Sequence, residues 1–513
     1  MLLKDRMGLL GVIIIVFFTL IALLAPYITS VSPNQSFVSG YWAVPSWATI
    51  FPTYSLVPPN TEALNPSMTS WAFHATTSSS VSSVNYSIVS NAGVPASLLT
   101  KSYYSNSTAS NTAMIINAEI KATPIAAFIP IANLTESFTY NYQPPYNFYF
   151  GLFNKPITFA NLTDYYYLIT LTRPDGRVFP LTSYTLMAHS SVEDINYKGS
   201  PGFHLDSWAG VILVSNTGDV VSTALGSAQV EPNAGQIFLN GTGTYTFNVQ
   251  LIAASSAKPG TLSVAISNPF LFVEGRQYGL LGTDNFGRDL WSQFAFGSRI
   301  SIEVGLLASI ITVGVGTLVG LIAGIYLGIT DEFLMRLADV ILVIPFLPLA
   351  IVVIFIITQS PALESNLYFW LVVLFAIISW PGLARIIRSQ TLSLKERGFV
   401  ESAVALGGSR LYIVRKHLLP NVMGLVYAEL ALSVPSFILT EAALDFLLPS
   451  SSNVPTWGRM VSLAYDNAAS SSVYAFGWWW FIFPGLAIVL LSLAFVLLGY
   501  ALDGVFNPRL RKR

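Results

Sequence analysis

Apolar residues gather into six runs along the chain: roughly Met7–Ala25, Ile302–Leu327, Val340–Ile357, Tyr368–Leu383, Leu425–Leu447 and Trp478–Tyr500. Each reads as a helix able to cross about 30 Å of hydrocarbon. Between the first and second runs the pattern changes to short β-branched and aromatic stretches set among Ser, Thr, Asn and Tyr, without helical periodicity. These predict strands. Tyr165–Leu171 and Val178–Met187 flank Pro174-Asp175-Gly176, which favours a hairpin. Further strands are expected at Ala113–Ile120, Val211–Ser215, Val220–Ala224, Gln236–Leu239, Thr244–Ala253 and Thr261–Ser267. Their spacing points to one or two β-sandwiches. The predicted fold class is a membrane α-helical bundle of six transmembrane helices plus a β-rich extracytoplasmic domain. Expected domains are residues 1–26, an N-terminal membrane helix; 27–275, the β-rich insertion; and 276–513, a five-helix core with a cytoplasmic loop at about 385–424.

Composition agrees with the pattern. At 53% hydrophobic and 10% charged residues, the 513-residue chain is too apolar for an ordinary water-soluble globule. A net charge of −1 excludes a broadly basic nucleic-acid binder, and the absence of cysteine excludes disulfides, thiolate metal sites and cysteine nucleophiles. The positions of the charges set the topology. Lys4 and Arg6 precede the first run; Arg385, Arg388, Lys395, Arg397, Arg410, Arg415 and Lys416 fall between the fourth and fifth; Arg509, Arg511, Lys512 and Arg513 close the chain. The positive-inside bias places all three on the cytoplasmic side, and six spans are consistent with that parity. The first run also resembles a signal peptide, but it is long and no A-x-A site closes it, so a retained helix is expected. The N-x-S/T sequons, at Asn34, Asn85, Asn106, Asn133, Asn161 and Asn240, all lie in the insertion. They are candidate glycosylation sites on an outward-facing surface.

The segment between the fourth and fifth runs, "ESAVALGGSRLYIVRKHLLPN", predicts an elbow. Glu401–Leu406 continues a helix, Gly407-Gly408 permits a sharp turn, Ser409 caps a second helix and Pro420 ends it. Leu411, Val414 and Leu418 are expected on one side of that helix, with Arg410 and Arg415 elsewhere. Spacing alone leaves two readings open: a short helix lying across a partner protein, or a basic interfacial helix on lipid headgroups.

This segment resembles the "EAA" loop of ABC importer permeases, E-A-A-x3-G-x9-I-x-L-P, through Glu401, Ala403, Gly407, Leu419 and Pro420. Ser402 replaces the middle alanine, and His417 stands where the general pattern has isoleucine. "RKHLLPN" is similar to the dipeptide/oligopeptide/nickel branch. So are "LGTDNFGRDLWSQFAFGSRISI", "RLADVILVIP", "VPTWGRM", the C-terminal "FPGLAIVLLSLAFVLLGYALDGVFNPRLR" and, like a C-type permease subunit, "MGLLGVIIIVFFTLIALLAPYI". The resemblance covers about Leu3–Pro33 and Gln277–Arg513, and it implies a type I-like importer. It further implies that the elbow, with Gly408 and Leu411, is a coupling helix seated on a cytoplasmic ATPase. The implied partners are two ATPase subunits, a B-type permease, an extracellular solute-binding protein and the lipid bilayer, with no nucleic acid. No G-x-x-x-x-G-K-[ST] occurs, so this chain is expected to bind no cofactor, ATP and Mg being held by the partners. Di- or oligopeptides are the expected cargo; oligosaccharides or nickel chelates are alternatives within the branch.

Glu441 and Asp445 lie one turn apart in the fifth run. They are candidates to line the pathway and attract a cationic group, or to pair with a basic residue of a neighbouring subunit. Gly316, Gly320, Gly324 and Gly328 form a ridge for close helix packing. Pro345, Pro348 and Pro435 break backbone bonding locally. Arg336 and Asp339 are expected to pair, Arg299 and Glu303 lie one turn apart near the outer boundary, and Thr283, Asp284 and Asp289 are expected to cap the second span. His74, His189 and His204 are too scattered for a metal site or a triad, so no catalysis is expected. A membrane-anchored adhesion or surface-layer protein would account for the insertion but not for the elbow. A secondary transporter or channel would call for inverted repeats or deep charges, neither of which is evident.

Overall fold

A computed structural model describes residues 6–506, apart from 37, 65–66, 95–111, 126, 183–208, 216–219, 221–223, 225–233, 448–453 and 471–476. Asn106, His189, His204, Lys4 and the basic tail from Arg509 lie outside the described residues. The chain divides into two compact units, Met1–Ser36 with Arg288–Arg513, and Phe37–Gly287.

The Phe37–Gly287 unit is built from two antiparallel sheets. One has the order β3-β4-β11-β6-β9, from Val81–Ser90, Thr112–Ile120, Gly260–Glu274, Asn147–Ala160 and Ala209–Val214, with β1 (Thr61–Glu62) also on β11. The other has the order β2-β5-β10-β7-β8, from Ala72–Ala75, Phe128–Tyr140, Gly243–Ser255, Leu162–Thr172 and Val178–Pro180. Alternation drives the packing. Tyr245, Phe247, Val249, Leu251 and Ala253 recur at period two along β10 and are all buried. Phe247 stacks on Phe150 of β6, in the opposite sheet, with centroids 4.5 Å apart and planes at 10°. One aromatic core therefore joins the two sheets as a sandwich.

Several local expectations change. Gln236–Leu239 is not a strand: Ala234–Phe238 forms a short helix, α2, whose Phe238 plugs the core edge-on against Phe148 and Phe179. Val220 and Ala224 are also helical. At both places the apolar residues serve the core from outside the sheets, so tertiary burial overrides β propensity. The hairpin strand covers Val178–Pro180, Leu181 N–H still donates to Ile169 O (2.8 Å), and residues 183–187 of the expected strand lie outside the described residues. Thr283 and Asp284 cap no helix. Thr283 Oγ1–H donates to Gly40 O (2.6 Å) and Asp284 accepts from Phe286 N–H (2.8 Å), while Asp289 alone caps the following helix through the N–H groups of Trp291 and Ser292.

The membrane unit begins with α1 (Arg6–Ile28). After the β unit follow α3 (Leu290–Tyr326), α4 (Ile329–Val343), α5 (Phe346–Thr358), the single turn α6 (Pro361–Glu364) and α7 (Leu367–Lys395). The elbow helices α8 (Gly398–Ala405) and α9 (Arg410–Ile413) lead into α10 (Leu419–Leu447), then α11 (Trp457–Ser470) and α12 (Trp478–Phe506). Among the described residues, five helices are long and apolar enough to span a membrane. The expected third span is instead a bent pair: α4 and α5 meet at 80° across Ile344-Pro345, because Ile344, preceding proline, is held extended.

Glycine governs how α3 meets α7. A Cβ at Gly316 would lie 3.0 Å from Trp380 O, at Gly320 2.5 Å from Ala384 O, and at Gly324 2.6 Å from the Thr391 side chain. Gly328 is not part of this ridge. Its φ of +65° serves the reversal into α4, with open space around it. Arg336 and Asp339 do not pair with each other. Arg336 binds Glu332 (2.7 Å), while Asp339 binds Arg385 of α7, because residues four apart on a helix and residues across the α4–α7 seam are closer. Asp331 of α4 takes Arg388 of α7 through two 2.5 Å bonds. Arg299 and Glu303 do pair, at 2.9 Å.

Two outcomes test the β core. Phe247→Ala removes the inter-sheet stack and is expected to cost about 3–5 kcal/mol. Limited proteolysis of the full chain should then cut the β unit while sparing the membrane helices; unchanged resistance rejects the shared core. Glu274, ending β11, is 2% exposed, and burial pushes its carboxyl from 4.5 up to about 7 against hydrogen bonds from Asn147 and Tyr149. An acid whose folded pKa is raised stabilises most below its unfolded value, and that contribution is lost as pH rises through the folded one. Stability of the β unit should therefore fall on the order of 3 kcal/mol between about pH 4.5 and 7. Glu274→Gln should flatten that slope in thermal melts; an identical slope in the variant refutes the assignment.

Candidate functional site

The elbow closes as a Schellman motif. Gly407, at φ +81°, donates its N–H to Val404 O (2.9 Å), and Gly408 donates to Ala403 O (3.0 Å). These two bonds satisfy carbonyls that the end of α8 would leave bare, and the left-handed residue between them turns the chain. Gly408 has a separate steric reason: a Cβ there would lie 2.8 Å from Ala403 O. Ser409 then caps α9 by accepting from Tyr412 N–H (3.3 Å).

Pro420 does not end the second helix. A continuous helical run extends from Arg410 to Leu447. Val414–Leu418 is a π-turn, in which Leu419 N–H reaches Val414 O, so the missing donor and bulky ring of Pro420 are absorbed by one wider turn. The π-turn also resets the faces. Ile413, Leu418 and Val422 are buried at spacings of five and then four, packed with Val400 against Leu321, Ile325, Leu383 and Ile387. Leu411, expected beside Val414 and Leu418, instead points outward at 75% exposure. Leu406 at the apex is 88% exposed, and Phe399, Val404 and Tyr412 are exposed around it. Glu401 is exposed on α8, Ala403 and Leu419 are half-buried, and Pro420 is exposed. Arg410 lies over the Tyr326 ring at 4.9 Å. His417 packs against Phe399 and Tyr412, with ring centroids 6.1 and 5.6 Å away. The elbow thus has a buried base fixed to α3 and α7 and an apolar crown open to solvent.

Residues 316–512 match the family model described as "Binding-protein-dependent transport system inner membrane component", and residues 1–59 match "N-terminal TM domain of oligopeptide transport permease C". An oligopeptide transport system permease protein from Haemophilus influenzae is 37% identical over 233 residues, 45% of this chain and 71% of the relative. The chain belongs to this permease family. A dipeptide transport system permease protein from Bacillus subtilis is 33% identical over 45% of this chain and 69% of its own length. A glutathione transport system permease protein from Pectobacterium atrosepticum is 36% identical over 45% and 73%. The permease is accordingly a multi-pass membrane protein carrying an inserted β unit.

The two carboxylates of α10 lie inside the permease chain. Glu441 is 0% and Asp445 7% exposed. Ser301 Oγ–H of α3 donates to Glu441 Oε2 (3.2 Å), Tyr368 O–H of α7 donates to Asp445 Oδ2 (3.3 Å), and Thr456 donates to the same oxygen. Hydroxyl groups of the chain itself thus meet one oxygen of each carboxylate, while Glu441 Oε1 is buried without a hydrogen-bond partner among the described residues. Of the sequons, Asn34, Asn85, Asn161 and Asn240 are exposed. Asn133 sits half-buried in β5 between His74 of β2 and Gln250 of β10, with its Oδ1 buried.

Three features escaped the sequence reading: the exposed crown residues Leu406 and Tyr412, the anchor Ile413, and the Asp331–Arg388 clip. The crown had a signal, since a leucine placed directly before a helix-ending glycine pair is not helped by any core-facing period. The clip joins residues far apart in the chain and had none. Gly407→Ala should cost about 1 kcal/mol and Gly407→Val more, because a β-branched residue resists positive φ. Hydrogen exchange across residues 398–413 should accelerate in both, in that order; unchanged exchange removes the conformational requirement for glycine.

Proposed function

We propose that this chain is the transmembrane permease subunit of an ATP-driven importer and that the elbow is its coupling helix. The observation that carries the reading is the crown: Leu406 and Leu411 stand in solvent on a turn sealed by backbone bonds and rooted in α3 and α7. An apolar tip on a rigid base suits a groove on a partner that pushes, and a rigid elbow passes displacement to the helices it is packed on. Two ATPase subunits hold ATP and Mg. A B-type permease completes the pathway, and a solute-binding protein delivers cargo on the side opposite the elbow. The N- and C-termini then face the cytoplasm.

Di- or oligopeptides are the proposed cargo, because relatives of this permease are named for oligopeptide, dipeptide and glutathione transport. The adhesion-protein reading supplies no role for the elbow. The chain alone should hydrolyse no ATP; robust turnover by the purified single chain would overturn the division of labour. Leu406→Glu with Leu411→Glu alters only exposed side chains, so membrane yield and melting should stay close to the parent. Co-purification of the ATPases and peptide uptake should both fall at least tenfold, and normal uptake would reject the coupling role. Glu401→Lys should weaken uptake in the same assay without changing yield.

A further inference from the structure

The passages that lead into and out of the β unit are zipped together. Val38 N–H donates to Gly287 O (2.9 Å), Gly40 to Gly275 (3.0 Å), Trp42 to Asp284 (3.0 Å) and Ser46 to Gly279 (3.0 Å). Off this strap projects a loop of two 3₁₀ turns, Ser46–Ile50 and Pro52–Tyr54. Ile50 is 81% exposed, and Phe51 and Leu56 are about half exposed. Trp47 ties the loop to the returning passage by donating Nε1–H to Leu280 O (2.8 Å), and its ring meets Phe51 edge-on at 6.4 Å. Leu280 and Phe286 on that passage are exposed as well.

The loop itself is apolar and uncharged: no charged residue stands between Arg6 and Glu62, while on the returning passage Asp284 is buried and Arg276 and Arg288 are half-buried. Water-exposed surfaces rarely collect so many large apolar side chains without a partner.

The chain itself indicates the partner. α1 ends at Ile28, whose carbonyl accepts Trp291 Nε1–H of α3 (3.1 Å), and Val31 O accepts Ser292 Oγ–H (2.9 Å). Outgoing and returning chains are thus fixed together at the ends of two membrane spans. The steps from Val31 to Val38 reach at most about 25 Å when extended, and those from Gly287 to Leu290 about 10 Å. A loop tethered this closely to a bilayer edge, rich in Trp, Tyr, Phe and Ile and free of charge, has the composition of the membrane interface. A protein partner in water would bare the loop on each dissociation, whereas the bilayer is always present.

We propose that the loop Ser46–Leu56, with Leu280 beside it, inserts into the headgroup layer of the bilayer and holds the β unit to the lipid surface. The absence of cysteine makes a direct test available. Single variants Ile50→Cys, Leu56→Cys and, as a water-facing reference, Asn85→Cys are labelled with an environment-sensitive fluorophore in the full chain, within phosphatidylcholine–phosphatidylglycerol nanodiscs. Labels at 50 and 56 should be quenched at least threefold more by spin-labelled lipid than the label at 85, and at least threefold less by iodide. Adding Ile50→Asp and Phe51→Asp should move the label at 56 to the iodide-accessible class and leave the label at 85 unchanged. Iodide quenching at 50 and 56 equal to that at 85 overturns the proposal in favour of a loop in water. Shielding from both quenchers overturns it in favour of a protein partner.

Discussion

The close approach of α3 and α7 is the constraint on which the membrane unit depends. In a bilayer, apolar side chains gain little by leaving lipid for protein, so helix association relies on van der Waals fit and satisfied polar groups. The ridge of Gly316, Gly320 and Gly324 provides the fit, bringing backbone against the Trp380, Ala384 and Arg388 carbonyls. That contact fixes the register of α7. The register places Arg385 and Arg388 opposite Asp339 and Asp331 of α4, and Lys395 Nζ within 3.3 Å of Gly324 O at the end of α3. The base of the elbow then packs into the space that α3 and α7 have framed. A shift along the ridge would disturb the clip, the cap and the elbow together.

The β unit follows the opposite rule. Its two sheets are held by water-driven burial of aromatic rings, with Phe247 between Phe148, Phe150 and Phe138, and its strands are long enough to satisfy the backbone in ladders. Its boundary falls at Phe37 and Gly287 because the two connecting passages hydrogen-bond to each other before either reaches a span. One chain can carry both units because each has its own core among the described residues, and two short passages join them.

How much of this was legible in the sequence depends on the range of the interaction. Composition and run length made the spans readable, and period-two alternation made β4, β7, β10 and β11 readable, since both are local. The bend at Ile344-Pro345 was marked by proline, yet an unbroken apolar run concealed it. α2 was misread because Ile237 and Phe238 satisfy strand propensity while their burial is set by distant strands. At the candidate site, glycine, serine and proline gave the turn and cap. They misled at Pro420, because the local rule that proline stops a helix does not anticipate a π-turn that absorbs it. Ion pairing failed in the same way for Arg336 and Asp339: spacing named the neighbours on the helix but not the arginine waiting on α7.

The elbow also explains which departures from the family pattern the fold accepts. The requirement at Gly407 is conformational, since only there does the backbone enter the left-handed region within the turn. Gly408 is required for room, and Ala403 contributes its carbonyl, which any residue offers, on a half-buried side that favours a small one. Ser402 lies on the exposed side of α8 and returns its hydroxyl to Gly398 O at 2.7 Å, so replacing alanine there leaves no polar group unsatisfied. His417 falls within the π-turn, half-buried between Phe399 and Tyr412, where an aromatic ring packs as well as a branched aliphatic side chain. The pattern E-A-A-x3-G is, in these terms, the end of a helix: its spacing is the distance from an outward-facing acid to the residue that must turn left-handed. The two departures, Ser402 and His417, fall where the residue neither adopts the left-handed turn nor crowds its backbone.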